Sequence, residues 1–315
     1  MEVVVLAGGY ATRLWPITRH RPKMLLPIGD TTVIDRILEA LEGEDRVETV
    51  YVSTNEAFAD DFEAHIESEG YEKPQLSVES TTEEDSKFGV VGALAQLVER
   101  EGVDGDLLVI GGDNVIGFDV GEFIDHFDER DGSVLAAYDV GSPEKAKSYG
   151  IVDVDGERVV DFQEKPDEPR STLASIACYA FDAGSVRFSE YLSGDNNPDE
   201  PGWYVDWLQA RETVYAFSFD GVWFDIGTPE SYLETVEWYL DGGSQVHPDA
   251  TVTDCDLGDT VHVMAGATVS GTSLERTVVF PGAEVTGSRL EGTILGEDTR
   301  IDGLDVSGAV LTNLK

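Results

Sequence analysis

The C-terminal part of the chain repeats on a period that neither common secondary structure can carry. Apolar residues recur at Val246, Val252, Leu257, Val263, Val269, Leu274, Val279, Val285 and Leu290, five to six residues apart. A helix returns its apolar face every three or four residues and a half-buried strand every two. A five-to-six spacing is met instead by short strands joined by turns, each side of a coil sending one residue inward. With three sides and about eighteen residues per coil, Val246 to Leu311 make three or four coils. The change of pattern falls at Asp241-Gly242-Gly243.

Upstream the chain follows a different order. An apolar run, Val3 to Leu6, reads as a strand buried on both faces. After a turn at Gly29-Asp30-Thr31, Ile34, Ile37, Leu38 and Leu41 lie at helical spacing. Strand Thr49–Ser53, helix Ala57–Glu69, strand Gln75–Val78, helix Val91–Arg100 and strand Leu107–Ile110 follow. Alternation of this kind predicts parallel strands joined by helical crossovers, with ligands at the carboxyl ends of the strands. Gly8-Gly9 and Gly111-Gly112-Asp113 both fall at such ends.

The turn at Ala7-Gly8-Gly9 lets a ligand approach the main chain, and its N–H groups suit a phosphate. Arg13, Arg19, Arg21 and Lys23 then place four cations within eleven residues of a chain holding only 21 Lys plus Arg. That clustering points to a polyphosphate site. Neither the P-loop pattern nor the dinucleotide-binding pattern is satisfied here. The stretch resembles the signature of the sugar-phosphate nucleotidyltransferases, G-G-x-G-T-R-L-x-P-x-T followed by P-K-x-x-L-P. The match runs through Gly8, Gly9, Thr12, Arg13, Leu14, Pro16, Thr18, Pro22, Lys23, Leu26 and Pro27, with Ala11 where the family usually has glycine.

Further motifs follow in the family's order. Gly89 to Leu94 resembles its G-T-A-G-A-L segment, with Val90-Val91 replacing Thr-Ala. Leu107 to Asp113 resembles its apolar strand ending in G-D, Tyr149-Gly150-Ile151-Val152 its Y-G-x-V, and Phe162 to Pro166 its F-x-E-K-P. Trp223 to Tyr232 matches W-x-D-x-G-T-P-E-x-Y throughout. The resemblance implies a catalytic domain over residues 1–241, a Rossmann-like mixed, mostly parallel sheet with flanking helices. Residues 244–315 resemble the hexapeptide repeat of a left-handed parallel β-helix. The implied reaction transfers a nucleotidyl group from a nucleoside triphosphate to a sugar 1-phosphate, releasing pyrophosphate, with dTTP or UTP and glucose 1-phosphate favoured.

The same resemblance assigns roles. Arg13 and Lys23 are implied as catalytic, and Leu6, Gly8, Gly9, Thr12 and Gly89 as nucleotide-binding, with base contacts also expected from Ser80 to Lys87. Tyr149, Gly150, Glu164, Lys165 and Tyr179 are implied for the sugar phosphate. Asp113 and Asp225 are implied as Mg²⁺ ligands, a hard ion that takes oxygen. Two other readings stay open: a non-catalytic regulatory homologue that binds nucleotide sugars, and a bifunctional enzyme with acyltransferase activity in the tail. His247 and His262 invite the second, but turn-facing histidines are usually solvated and the tail is short, so the tail is expected to serve homo-oligomer assembly.

Acidity sets the remaining expectations. The chain carries 63 Asp plus Glu against 21 Lys plus Arg, a net charge of −42 at pH 7. No basic face for nucleic acid survives in such a field. Aromatic content of 9% and regular apolar runs argue against disorder. Acids spread along the whole chain fit a halophilic cytoplasm, where a Debye length of about 3 Å at 1 M salt screens self-repulsion. Cys178 and Cys255 lie outside any C-x-x-C spacing and are expected to be free and buried. The N-terminus lacks a basic stretch before an apolar run, and no segment is apolar for the roughly 18 residues a membrane span needs, so a soluble cytoplasmic protein is expected. The charge generates a direct expectation: the thermal midpoint should rise steeply between about 0.1 and about 3 M KCl. A flat profile across that range would contradict the halophilic reading.

Overall fold

The computed structural model describes residues 1–79 and 88–313. The segment Ser80 to Lys87, expected to contribute base contacts, lies outside the described residues. The chain divides into two compact units, the first comprising Met1–Gly9 and Ile37–Trp223, the second Tyr10–Arg36 and Phe224–Lys315.

The first unit is built on a nine-stranded sheet. Its strands are β1 (Glu2–Leu6), β2 (Thr49–Asn55), β3 (Pro74–Glu79), β4 (Leu107–Gly111), β5 (Ser133–Asp139), β6 (Gly150–Asp155), β7 (Arg158–Glu164), β8 (Leu173–Phe181) and β9 (Val214–Ser218). They lie in the order β3-β2-β1-β4-β8-β5-β9-β7-β6. The first four are parallel, with Val4 paired to Tyr51 on one side and to Val109 on the other. β8 then enters antiparallel between β4 and β5. Val3, Val4 and Val5 are fully buried, as are Leu107 to Ile110, because helices cover the sheet and leave these strands no polar face. The longer helices are α1 (Asp35–Gly43), α2 (Ala59–Glu69), α3 (Val90–Glu101), α4 (Val120–Asp128) and α5 (Pro201–Gln209), and the second unit adds α6 (Pro229–Leu240). The strands and helices read from the sequence are present, displaced by at most two residues at their ends. Cys178 is buried in β8, whereas Cys255 is only half-buried, and both are free.

In the second unit the apolar spacing resolves into a left-handed parallel β-helix of three stacked sheets, one of five strands and two of four. Val261 pairs with Thr277, Val278 with Ile294, and Ile294 with Val310, so a coil takes sixteen residues rather than about eighteen. The first step, Gln245 to His262, takes seventeen. Corners need a left-handed backbone, and it recurs on that period at Gly271, Gly287 and Gly303, and at Thr260, Arg276, Gly292 and Gly308. Val263, Val279 and Leu295 stack inside, as do Val269, Val285 and Ile301. Each inward apolar row therefore sits directly above its predecessor, which is how so short a solenoid buries a continuous core.

The five-stranded sheet departs from the simple inside-out pattern. Along the other two sheets the residues flanking each inward one are mostly exposed, but Val261, His262 and Val263 are all buried, as are Thr277, Val278 and Val279. The outward row of this sheet is covered within the unit by α6 and by the segment Tyr10–Arg36. Phe280 meets the Tyr232 ring at 6.5 Å, Arg276 pairs with Glu230 and Glu237, and Gln245 Nε2 donates to Asp30 at 2.6 Å. α6 itself starts on a reciprocal cap, the Ser231 amide donating to Thr228 Oγ1 and the Thr228 amide to Ser231 Oγ, with Pro229 in its first turn.

His262 corrects an expectation. It is not turn-facing but sits in a strand at 4% exposure, with Nδ1 lacking a hydrogen-bond partner. Burial drives its pKa down to about 4, against the opposing charge of Asp30. His247, by contrast, is exposed. An imidazole that resists protonation in the fold but accepts it when unfolded, near 6.5, costs stability as pH falls from about 6.5 towards about 4. The parent should therefore lose on the order of 2 kcal/mol between pH 6.5 and roughly pH 5. His262→Leu should flatten that part of the profile, measured by denaturant midpoints at the two pH values.

Candidate functional site

Four parallel strands deliver their carboxyl ends to one rim of the first unit, where the two glycine turns of β1 and β4 emerge. The Gly112 amide donates to Leu6 carbonyl at 3.0 Å and the Ala7 amide to Ser53 carbonyl at 2.7 Å, so the turns are tied to the sheet. Asn55, buried at the end of β2, completes the tie: its Nδ2 donates to Gly8 carbonyl at 3.0 Å while its Oδ1 accepts from the Ala57 amide at 2.9 Å. Gly9 is exposed and a Cβ there would meet nothing within 4 Å, leaving the turn open to a ligand. Beside Gly8 lies Glu79, the last residue of β3, whose Oε1 would be 3.7 Å from a Cβ on Gly8. Burial raises the Glu79 pKa above the ordinary carboxylate range. Leu6, Gly8 and Gly9 are thus at one rim.

Gly89 holds a different place. It precedes α3 at φ +74°, and an added Cβ would come within 2.5 Å of Pro198 carbonyl oxygen, while the Val91 amide already donates to that oxygen at 2.8 Å. Backbone packing alone therefore demands glycine here. Asp113 follows β4 half-exposed, its Oδ1 accepting from Asn114 Nδ2 at 2.8 Å. Asn114 is fixed in turn by the indole Nε1 of Trp223 at 2.6 Å. The carboxylate is held in orientation by a buried amide, as an ion ligand requires.

A second cluster in the same unit gathers the expected sugar-phosphate residues. Gly150 and Glu164 are register partners across β6 and β7, and the Lys165 amide donates to Tyr149 carbonyl at 3.1 Å. The Glu164 carboxylate lies between two glycines: a Cβ at Gly150 would come within 3.0 Å of its Oε2, and one at Gly202 would collide with the same atom. Lys165, at φ +44°, pairs with Glu200 at the start of α5 and lies 3.7 Å from Glu164. Burial, and then the charge of Glu200, raise the Glu164 pKa. Burial works against the Lys165 charge, yet its pairing with Glu200 and Glu164 prevails and holds its pKa up. Tyr149 stacks edge-on against Trp223 at 4.8 Å. Tyr179 does not join this surface: it is 4% exposed within the core, stacked on Phe181, and burial pushes its phenol pKa up.

The second unit holds Thr12, Arg13, Lys23 and Asp225. Ala11, where the family usually has glycine, adopts φ 47° and ψ 48°, the left-handed region in which glycine is cheapest. Its carbonyl accepts from Thr18 Oγ1 at 2.9 Å, which closes the loop around Thr12 and Arg13, both exposed. A Cβ on Gly227 would lie 3.1 Å from Arg13 Nη2 and 4.0 Å from Asp225 Oδ1. Gly227 thus leaves room for a guanidinium beside the W-x-D-x-G-T-P-E carboxylate. Lys23 is buried at 9% exposure at the head of a short 3₁₀ turn, Lys23–Leu25. Arg21 does not share an open cationic surface with Arg13; it pairs with Glu297 of the β-helix.

Asn55, Glu79, Glu200 and Gly202 were not singled out from the sequence. Asn55 and Glu79 are the last residues of strands parallel to the one that Asp113 follows, and that position was a usable signal. Glu200 and Gly202 carry no motif that would have marked them. Among the described residues no three His, Cys, Asp or Glu side chains converge on one point. Asp113 in the first unit and Asp225 in the second each supply a hard oxygen donor, the chemistry that Mg²⁺ accepts.

The family model for nucleotidyl transferases matches residues 2–242. A protein of Sulfolobus acidocaldarius provisionally named mannose-1-phosphate guanyltransferase is 29% identical over 235 residues, 74% of this chain and 61% of its own length. The low-salt glycan biosynthesis nucleotidyltransferase Agl11 of Haloferax volcanii is 29% identical over 269 residues, 80% of this chain and 71% of its own. Among solved structures, one from Bacillus anthracis, provisionally titled a glucose-1-phosphate thymidylyltransferase, superposes with a TM-score of 0.66 at 23% identity, covering 76% of this chain and 96% of that one. That likeness bears on the fold. With the family model spanning the whole region that carries the motifs, this chain belongs to the nucleotidyl transferase family.

Proposed function

We propose that the protein is a sugar-1-phosphate nucleotidyltransferase that uses Mg²⁺, with residues 1–241 catalytic and 244–315 a β-helix domain that also serves homo-oligomer assembly. The observation that carries this reading is Arg13 beside Gly227 and Asp225: two motifs more than two hundred residues apart in sequence share one small volume of the second unit. The acceptor phosphate needs no protein base, because a phosphate monoester with a second pKa of about 6 is already largely ionised at pH 7. Catalysis then rests on holding its oxygen in line with the α-phosphorus and on neutralising the leaving pyrophosphate. Arg13 and Lys23 are assigned to the phosphates, and the turn at Leu6, Gly8 and Gly9, with Thr12 and Gly89, to the nucleotide. Glu164 accepts from sugar hydroxyls while Lys165 exchanges Glu200 for the sugar phosphate. Asp113 and Asp225 would hold Mg²⁺, which supplies positive charge against the phosphates when bound.

dTTP or UTP with glucose 1-phosphate is the favoured pair, supported by the name of the Bacillus anthracis neighbour. The Sulfolobus relative's name favours GTP with mannose 1-phosphate as the second reading. Pyrophosphate release across a matrix of triphosphates and sugar 1-phosphates in molar KCl decides between them, and no release with any pair would leave the non-catalytic reading. Acetyl-CoA turnover tests the bifunctional one.

Asp113→Asn keeps the shape and removes one charge, so turnover should fall by roughly two orders of magnitude or more while the thermal midpoint holds. Gly202→Ala should act elsewhere, pushing the Glu164 carboxylate aside and raising the KM for sugar 1-phosphate roughly tenfold with the KM for the triphosphate unchanged. Steady-state kinetics with each substrate varied in turn checks both.

A further inference from the structure

We infer that the β-helix is a positioning element for the signature segment, and that Glu297 and Phe280 are positioning residues acting through Arg21. The inference rests on the nucleotidyl-transfer reading. All the groups concerned belong to the second unit. The outward row of the five-stranded sheet is buried, Val278 and Ile294 fully so, and Tyr10–Arg36 forms part of its cover. Contact is made at matching corners of successive coils. Arg21 pairs with Glu297 and lies over the Phe280 ring, its Cζ 5.7 Å from the centroid, while Ile17 Cγ2 would be 3.5 Å from a Cβ on Gly296. Between these two grips stands Thr18, whose hydroxyl holds Ala11 carbonyl at the entrance to Thr12 and Arg13. Immediately beyond Arg21, Pro22 starts the turn that buries Lys23. The β-helix thus grips the stretch of chain between the two assigned catalytic cations.

Magnitudes separate this role from simple stabilisation. The Arg21 and Glu297 side chains are 30% and 48% exposed, and an ion pair so placed contributes about 0–1 kcal/mol to folding. The geometry it sets is worth more, since a displacement of about 1 Å at a reacting group can cost roughly a hundredfold in rate. A hydrogen-bonded contact pair is also screened less by molar salt than the repulsion between well-separated surface acids.

The test uses the full chain in molar KCl. Glu297→Arg should lower kcat roughly tenfold, with both KM values within about twofold and the thermal midpoint held. The exchange Arg21→Glu with Glu297→Arg should recover most of the loss. Glu284→Arg, which breaks the pair with Arg300 on a different sheet of the same β-helix, should leave kcat alone. An unchanged kcat in Glu297→Arg overturns the inference, and so does an exchange variant no faster than Arg21→Glu by itself, which would make Arg21 a phosphate ligand in its own right. A kcat loss that merely tracks a falling midpoint overturns it too. Should the parent release no pyrophosphate with any substrate pair, the functional reading fails first. The grip is then read by hydrogen exchange of amides 13–23, faster in Glu297→Arg if it exists and unchanged if it does not.

Discussion

The candidate site of the first unit depends on a strand that is hydrogen-bonded on both sides and buried on both faces. β1 pairs in parallel with β2 and β4 over its whole length, and its three central valines see no water. Parallel pairing means that whatever follows each strand emerges on one rim, and burial on both faces keeps water away from the ladder that holds the strand in place. The rim is therefore rigid before any polar residue is added. Asn55 makes the rigidity reach the glycine turn, whose carbonyl would otherwise be poorly fixed, and Asn114 with Trp223 does the same for Asp113. Pre-set orientation of main chain and carboxylate is what a site for phosphates needs, since hydrogen bonds made without reorganisation count in full at the moment of reaction.

Charge imposes the other constraint. With so few cations, several serve more than one acid: Arg46 meets Glu44, Asp125 and Asp128, and Arg276 meets Glu230 and Glu237. Pairs at this exposure contribute about 0–1 kcal/mol each, far too little to offset the surplus of acids in dilute buffer. Their use is geometric. Arg276 fastens α6 to the β-helix, and Arg21 fastens the signature segment to it. Against that background, Lys165 held between two glutamates is informative. Two carboxylates around one ammonium leave the cluster with a net negative charge. In the proposed reading, a sugar phosphate reaching Lys165 would have to displace Glu200 from it.

Much of this was legible in the sequence, for reasons that differ by element. The buried strands and the capped start of α6 announce themselves through local composition, since Thr228, Pro229 and Ser231 make their cap within one turn. The signature residues were legible as a run, and so was Glu164 beside Lys165. Other features are set by tertiary packing, which leaves no local trace. The demand for glycine at position 202, in α5, comes from Glu164 at the end of β7, and the demand at 89 from Pro198 carbonyl. Tyr179 was assigned by resemblance alone, and no local feature of its strand foretold that its side chain would be buried in the core. Arg21 read as one of four phosphate cations, and only the fold reveals that its partner stands 276 residues further on.

His262 was misread for a related reason, and its position bears on what the tail is for. A β-helix sheet normally shows one polar face, so a histidine flanked by valines reads as outward and wet. Here the outward row, His262, Val278 and Ile294, is itself apolar enough to be covered, and the chain supplies its own cover in α6 and Tyr10–Arg36. That face is no longer available to a second copy. The other two sheets alternate, with Glu284, Thr286, Arg289, Glu291, Arg300 and Asp302 outward around single buried residues. These outward positions carry both carboxylates and guanidiniums, and burying such faces against a second copy costs the desolvation of every charge left unpaired. The ends of the coil stack are less covered than the row His262, Val278 and Ile294, with Val246 of the first coil 39% exposed and Leu304 of the last 44%, so an assembly surface of the proposed kind would lie at an end of the β-helix.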